Sequence, residues 1–302
     1  MSDQPEPEVE VEIEEAVEGN TPDDKELEVD APGEVEVIFT SDDALGFAEA
    51  RRLTSTRGAT VTLFAGDTDA GKTTATVEIW TTLLSDGRLG GGMIAGANNA
   101  LAFERRSWNS RLESGENTTL RTDEESDGFL HLSVVHQRGR LEVLFADYSG
   151  EHYKAIREGV EVFEELPWFG RVDRLAVFID GHLVAGTATA ELAATRTRRL
   201  LWKFRDCAQR DPRVRVALVV SKAELINDQQ LAAFRPTLDE LHALARSLDP
   251  DAALLMISSR PASGTEPVGL DDLFDWICSE DRPAPPREPV LDRPRRAFGR
   301  FA

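Results

Sequence analysis

The sequence predicts an α/β fold of three layers, in which a mostly parallel β-sheet carries helices on both faces. Short apolar, β-branched runs alternate with segments of helical length, which is typical of strands buried in a parallel sheet. One of these runs leads into a glycine-rich turn that is followed directly by a helix. The chain of 302 residues is long enough to bury one large core of this kind.

The folded part is expected to begin with an edge strand and a capped helix. The apolar residues of Val35 to Phe39 suit a short extra strand at the edge of the sheet. Ser41 then supplies an N-cap side chain, and Asp42 and Asp43 fall in the first turn of a helix that runs toward Thr54. Both elements precede the glycine-rich turn.

The glycine-rich turn, Gly66 to Thr73, reads Gly-Asp-Thr-Asp-Ala-Gly-Lys-Thr and matches the phosphate-binding pattern G-x-x-x-x-G-K-[ST]. The β-branched run Ala59 to Ala65 comes directly before it. Lys72 to Asp86 follows with helical length and stops at Gly87, a natural C-cap. Because pattern, strand and helix coincide, we interpret the turn as a P-loop rather than as a turn without function.

A P-loop binds polyphosphate because its glycines let the backbone approach, while the loop N–H groups and the helix N-terminus supply positive potential. Lys72 would reach the β and γ phosphates, and the Thr73 hydroxyl would ligate Mg²⁺. Carboxylates at Asp67 and Asp69 would lower affinity or turnover unless they point outward. The residues expected to contact the nucleotide here are Gly66, Asp67, Thr68, Asp69, Ala70, Gly71, Lys72, Thr73 and Thr74.

Further strands and helices alternate beyond the P-loop and complete the prediction of a P-loop NTPase three-layer sandwich. The expected strands are Met93–Ala95, Phe129–Val135, Leu141–Ala146, Leu175–Ile179, Val214–Val220 and Ala253–Ile257. The expected helices are Glu151–Glu165, Ala188–Asp206, Asp228–Ser247 with a kink at Pro236, and Leu270–Cys278. A polar stretch, Asn98–Asp127, is long enough to fold over a nucleotide.

A second chemical element lies where the strand ending at Ala146 runs into Asp147, with Gly150 three residues later. An aspartate there can hold Mg²⁺ through water, and the glycine N–H can approach a γ-phosphate because no side chain blocks it. Glu151 follows, where a water-orienting group or a favourable charge at a helix N-terminus is expected. Such turns also end strands in many α/β proteins, but a position behind a P-loop favours the functional interpretation.

Composition limits the classes of partner and the compartment. A formal net charge of -21 argues against nucleic acid as a main partner, because phosphate backbones are held by clustered Lys and Arg. No apolar run reaches membrane-spanning length, and the N-terminus is acidic where a signal peptide is basic, so we expect a cytoplasmic protein. Neither a disulfide framework nor a metal site is indicated by the spacing of Cys207, Cys278, His131, His136, His152, His182 and His242.

The two ends of the chain carry opposite charge. We expect a disordered acidic tail at residues 1–34, a nucleotide-binding domain at 35–280 and a Pro/Arg-rich basic tail at 281–302. Each tail is either a solvated flexible end or a site that docks a partner, and the two could also pair with each other. The partner would be a protein effector or regulator whose identity the sequence does not reveal.

The order of motifs resembles a Ras-like GTPase of the TRAFAC class: a P-loop, the turn from Asp147 to Gly150, and a late strand closed by Ser-Lys-Ala-Glu. The resemblance covers roughly residues 55 to 280. Three segments are similar to bacterial GTPase domains of the double-GTPase type, which are associated with predicted conflict or signalling systems. They are Phe103-Glu-Arg-Arg106, which follows Ala95-Gly-Ala-Asn98; the pair Arg121-Thr122; and Phe145-Ala-Asp-Tyr-Ser-Gly-Glu151.

The resemblance implies roles for individual residues. Asp147 with Gly150 would form the second switch, and Thr122 would be the switch threonine and a Mg²⁺ ligand beside Thr73 and Asp147. Thr118 and Thr119 are alternatives, but Thr122 follows Arg121, which could reach the β–γ bridge and neutralise developing charge. The alternative, given equal weight, is that Arg121 is a solvated loop residue that takes no part in the chemistry. The catalytic candidates are Lys72, Glu151, Arg121 and Thr122.

The base-reading motif departs from the Asn/Thr-Lys-x-Asp pattern of such GTPases. Ser221, Lys222 and Glu224 take its place, and a glutamate can accept from both guanine donors if the loop retreats by one methylene. Lys222 would lie along the base, and Ser258 and Ser259 would place backbone N–H groups near the guanine oxygen. Guanine is favoured over adenine, although the same residues also suit a strand-to-helix turn capped by Ser221.

Three functions remain open. The favoured one is a nucleotide switch that binds GTP with Mg²⁺, hydrolyses it slowly and controls a partner. A binding module without useful turnover is suggested by Asp69 and by a glutamate, rather than a glutamine, at Glu151. An ATP-using, kinase-like or ATPase enzyme is suggested by Glu224.

Overall fold

The structure, a computed structural model, describes residues 38–39, 43–108, 128–137, 139–159, 161–166, 168–259 and 267–279. The expectations for the two tails, for the N-cap at Ser41, and for Arg121 and Thr122 lie outside the described residues. Within the described residues, no helix combines the length and the apolar character that a bilayer crossing requires.

Nine strands form a single sheet in the described part of the chain. In chain order they are β1 (Ile38–Phe39), β2 (Thr60–Ala65), β3 (Arg88–Leu89), β4 (Gly92–Ala97), β5 (Gly128–His136), β6 (Gly139–Asp147), β7 (Arg174–Asp180), β8 (Arg215–Ser221) and β9 (Ala253–Met256). The order across the sheet is β1-β4-β5-β6-β2-β7-β8-β9, and β3 pairs with β4. Pairs involving β2, β7, β8 and β9, and the β1–β4 pair, are parallel, whereas β3–β4, β4–β5 and β5–β6 are antiparallel.

Helices cover both faces of the sheet. They are α1 (Phe47–Arg57), α2 (Lys72–Asp86), α3 (Ala100–Ser107), α4 (Gly150–Glu158), α5 (Gly181–Ala185), α6 (Thr187–Asp206), α7 (Asp228–Leu248) and α8 (Leu270–Cys278). As the sequence predicts, α2 begins at Lys72 and ends before Gly87, which adopts the left-handed conformation. The mostly parallel sheet with helices on both faces confirms the predicted α/β sandwich.

Two apolar cores follow from the alternation of side chains along the strands. Leu63 of β2 joins the core beneath α1, α4, α6 and α7, whereas its neighbour Phe64 joins the core beneath α2, α3 and α8. In the second core Trp80 stacks on Phe103 with ring centroids 4.7 Å apart, which fastens α3 to α2. The carboxyl end of β2, where the P-loop begins, therefore lies between two helical layers.

Two expectations about helix boundaries were wrong. The first helix begins at Phe47, beyond Asp43, because the Glu49 side chain accepts from the Gly46 N–H at 2.9 Å and so caps it from within. Helix α4 ends at Glu158 instead of Glu165, since Gly159 is left-handed there.

The polar stretch Asn98–Asp127, which the sequence suggested could fold over a nucleotide, begins in its described part as the helix α3. Ala102 and Phe103 are fully buried, so that burial against α2 outweighs the polar composition of the segment. The short helix α5 was also missed, and it starts where the Asp180 side chain accepts from the His182 N–H at 2.9 Å.

Candidate functional site

The candidate site lies at the carboxyl end of β2, between the ends of β6 and β7. The chain leaves β6, passes through α4 and returns on the other side of β2 as β7, so the direction of strand order reverses at β2. In open α/β sheets the crevice outside the carboxyl ends at such a reversal is the usual ligand site. The P-loop, Gly66 to Thr73, is the connection at this point.

The P-loop backbone requires glycine at two positions. Gly66 has a φ of 152°, and a Cβ there would come 2.8 Å from the Phe178 carbonyl oxygen on β7. Gly71 has a φ of 83° and is the N-cap of α2. Asp69 also has a positive φ, 64°, although it carries a side chain. The loop is thus folded tightly against the neighbouring strand.

The Lys72 side chain is folded into the P-loop. Its Nζ donates to the carbonyl oxygens of Gly66, at 3.0 Å, and Asp67, at 2.8 Å, and lies 5.4 Å from the centre of the Tyr153 ring. Burial lowers the pKa of Lys72 to about 8, and the charges of Asp147, Asp67 and Asp69 oppose that shift. A buried ammonium among loop carbonyls is positioned to meet an anion.

The Asp67 carboxylate is neutralised by two arginines that the sequence analysis missed. Arg157 of α4 donates to Oδ1, and Arg196 of α6 donates to Oδ2 at 2.8 Å. No local sequence pattern indicates either pair, because the partners lie 90 and 129 positions away. The Asp67 side chain is therefore directed toward α4 and α6 and paired there, so its charge is compensated.

The turn after β6 lies directly on the P-loop. A Cβ at Gly150 would come 2.7 Å from the Thr68 Cα, N and Oγ1 atoms, so only glycine allows this approach. Thr68 Oγ1 donates to the Glu151 carboxylate at 3.0 Å. Ser149 caps α4 by accepting from the Glu151 N–H at 3.2 Å. The two motifs predicted to sense phosphate are therefore in contact with each other.

Asp147, at the end of β6, is buried and paired with Arg106 of α3, whose Nε donates to its Oδ2. The Asp147 carboxylate and the Thr73 hydroxyl are the oxygen donors that Mg²⁺ prefers, and the charge of Asp147 is felt at Lys72. By donor type, these two residues therefore fit the ion. Arg106 belongs to the segment Phe103–Arg106 that carried part of the family resemblance, but its role was not foreseen.

The residues expected to read the nucleotide base lie at the ends of β8 and β9, which we call the base end of the site. There, Ser221 supports the P-loop. Its hydroxyl donates to the Ala70 carbonyl oxygen at 2.8 Å, and it is buried. Lys222 is left-handed with a φ of 50°, and its Nζ lies 3.1 Å from Asp180 Oδ1. Ser221 thus acts on the loop, and does not cap a following helix as the alternative interpretation had it.

The remaining base-end candidates are placed around the ends of β8 and β9. Glu224 lies in an exposed helical turn over residues 223–225. The Ala223 N–H donates to the Ile257 carbonyl at 3.0 Å, which brings this turn next to Ser258 and Ser259. The Ser258 N–H donates to the Val268 carbonyl at 2.9 Å and is therefore engaged within the protein.

The two cysteines and His131 are buried side chains. Cys207 and Cys278 are free and buried, and burial raises the pKa of each thiol to about 12. His131 is buried and contacts Glu142 at 2.8 Å between β5 and β6. Among the described residues, no three His, Cys, Asp or Glu side chains are grouped so that they could hold a metal ion.

Comparison with known proteins places this geometry in a family. No curated protein sequence matches the chain. A family model described as Double-GTPase 2 matches residues 61–277, from β2 to α8. The matched range contains the P-loop, Asp147, Gly150 and the turn at Glu224, and it spans well over half of the 302 residues. The chain therefore belongs to the Double-GTPase 2 family.

Proposed function

We propose that the protein is a nucleotide switch that binds GTP with Mg²⁺, hydrolyses it slowly and thereby controls a protein partner. The observation that carries the proposal is the contact between the Gly150–Glu151 turn and Thr68 of the P-loop. A γ-phosphate held by the loop would lie beside this turn. Loss of that phosphate on hydrolysis would therefore remove one of the contacts that hold the turn in place.

The phosphate end supplies charge and orientation. The P-loop N–H groups and Lys72 would hold the phosphates, and the Gly150 N–H would reach the γ-phosphate. Mg²⁺, held by the Thr73 hydroxyl and the Asp147 carboxylate, would neutralise phosphate charge when bound. Glu151 would orient a water, and its hydrogen bond with Thr68 keeps its carboxylate beside the P-loop.

Five further residues receive roles from the sequence and the family resemblance. Arg121 would neutralise charge that develops on the β–γ bridge, and Thr122 would complete the Mg²⁺ ligands. At the other end, Glu224 would accept from the guanine N–H groups, with Lys222 along the base and the Ser259 N–H toward the guanine oxygen. These assignments make GTP the proposed ligand.

A second candidate function is nucleotide binding without useful turnover. It is favoured by the state of Glu151, whose carboxylate accepts from Thr68 and lies 3.5 Å from Lys154 Nζ. A side chain engaged in this way is less free to activate water than an uncommitted one. The same site would then transmit nucleotide binding alone.

Two measurements on the purified full chain test these proposals. Nucleotide released by denaturation, identified by chromatography, should be GTP or GDP, and adenine nucleotides would favour an ATP-using enzyme instead. Single-turnover hydrolysis of bound GTP should proceed slowly and require Mg²⁺. Binding with no measurable hydrolysis would select the second candidate.

The tails are proposed as the partner-docking part of the chain. Removal of residues 281–302, which carry six arginines and two phenylalanines, should abolish capture of a partner while leaving hydrolysis intact. Hydrolysis that falls with this truncation would place the end of the domain beyond residue 280. Removal of residues 1–34 should leave nucleotide binding unchanged, since the proposed domain begins at 35.

A further inference from the structure

We infer that Arg157 and Arg196 are positioning residues, which act through Asp67 to direct the negative side chain of the P-loop away from the phosphate site. The inference rests on the proposed function, because it concerns how the loop tolerates a polyphosphate. It assigns a role to two arginines that belong to no phosphate-binding motif of the chain.

The Asp67 side chain is held on both sides. Each carboxylate oxygen accepts from a different guanidinium, one on α4 and one on α6. The Arg157 side chain is 8% exposed and that of Asp67 is 16% exposed, so this ion pair is largely removed from water. Asp67 and both arginines line a small cavity, whose walls also include Gly66, Ile179 and Thr197.

The backbone of Asp67 faces the opposite way. Its carbonyl oxygen accepts from Lys72 Nζ at 2.8 Å, so the main chain of this residue belongs to the loop while its side chain leaves it. The negative charge of Asp67 is nevertheless felt at Lys72. Without its partners, the carboxylate would be an uncompensated negative charge one residue from the loop's first glycine, and it would repel phosphate.

The same ion pair fixes α4 on the P-loop. Gly150, Tyr153 and Arg157 follow one another at helical spacing, and they contact Thr68, Lys72 and Asp67 respectively. Arg157 is thus the last of three contacts along one face of α4. The arrangement serves two ends, because it neutralises the carboxylate and keeps the helix of the second switch in register with the loop.

A double-mutant cycle on the full chain tests this role. The variants are Asp67→Asn, the pair Arg157→Gln with Arg196→Gln, and the triple combination, each titrated calorimetrically with GTP and with GDP in the presence of Mg²⁺. Arg213→Gln is the matched control, because Arg213 pairs with Asp211 through two side-chain hydrogen bonds before the amino end of β8, on the opposite edge of the sheet from the P-loop.

The double arginine variant should bind GTP about tenfold more weakly, since one freed carboxylate faces the phosphates. The loss should be smaller for GDP, which carries less charge. Asp67→Asn sets the reference affinity of a loop without this carboxylate, and the triple variant should bind within about twofold of that reference. The control should bind both nucleotides as the wild type does.

Additive losses, or equal losses for GTP and GDP, would overturn the inference and show that the arginines are structural only. If the double variant does not fold, the same cycle with Arg196→Gln alone decides, because that side chain is 36% exposed. A wild-type chain that binds neither nucleotide would instead overturn the proposed function itself.

Discussion

The two ends of the candidate site differ in how many contacts hold them. The phosphate end consists of the P-loop and the turn from Asp147 to Glu151. Lys72, Asp67 and Asp147 are each engaged there by other groups of the protein, and Gly66 and Gly150 allow close approach of neighbouring backbones. At the base end, Glu224 lies on an exposed turn, and Lys222 reaches only as far as Asp180 among the described residues. One end is built before a ligand arrives, and the other offers exposed groups.

This difference indicates where affinity and specificity would arise. A site whose charges are already placed loses little ordering entropy when phosphate binds, so the phosphate end should supply most of the binding energy. Exposed groups compete with water and contribute less, so the base end should set the choice of nucleotide by a smaller margin. Four predictions test this contrast, from the largest expected effect to the smallest.

The largest effect is expected from breaking the buried pair between Arg106 and Asp147, whose side chains are 9% and 7% exposed. Arg106→Ala leaves a buried carboxylate without this partner, a change that typically costs about 3–5 kcal/mol of folding free energy. Chemical unfolding of the wild type and of the variant measures the difference in the free energy of unfolding.

The neighbouring Arg105→Ala is the control for this prediction. Arg105 pairs with Asp43 at the surface, where both side chains are more than half exposed, so its loss should cost less than about 1 kcal/mol. Equal losses for the two variants would show that the phosphate end is not held by its buried pairs.

The second prediction concerns Lys72, which carries the charge of the P-loop. Lys72→Ala removes a charge-assisted contact worth about 1.5–3 kcal/mol, so affinity for GTP and for ATP should both fall by at least about tenfold. Calorimetric titration of the folded variant measures the loss. Unchanged affinity would sink the assignment of Gly66–Thr73 as a phosphate site.

The third prediction concerns the contact between the second switch and the P-loop. Gly150→Ala places a methyl group 2.7 Å from three atoms of Thr68, so α4 must move away and single-turnover hydrolysis should fall about tenfold. Gly46→Ala is the control, because its Cβ would meet nothing closer than 3.7 Å. Unaltered hydrolysis in the Gly150 variant would show that this contact has no part in turnover.

The sequence was sufficient for those features that depend on local pattern. Helix α2 starts and stops where Lys72 and Gly87 predict, and the apolar runs became the strands of the sheet. The antiparallel arrangement of β5 with its two neighbours was not foreseen, because an apolar run has the same appearance whichever way its partner runs.

The ion pairs of the site could not be predicted from the sequence for a related reason. Arg106, Arg157 and Arg196 lie on helices, where a charged side chain is usually taken to face solvent. Their partners, Asp147 and Asp67, are distant in the chain, so only the packing of α3, α4 and α6 brings them together. A motif search finds the groups that would touch a phosphate, whereas the groups that place them leave no local pattern.

The last and smallest effect is expected at the base end. If Glu224 accepts from both guanine N–H groups, Glu224→Ala should weaken GTP by about fivefold, the worth of an ordinary hydrogen bond, because the side chain is exposed and competes with water. ATP, which offers no such pair of donors to a carboxylate, should bind as before, so the ratio of the two affinities should approach one.

Competition between the two nucleotides measures the ratio directly. Asp239→Ala serves as a control, since it removes an exposed carboxylate of α7 that pairs only with Arg235 among the described residues. Equal losses of GTP and ATP in the Glu224 variant would make that residue structural. If the Glu224 variant instead lost GTP binding almost entirely, the base end would hold the nucleotide as firmly as the phosphate end does. The contrast between the two ends would then be wrong.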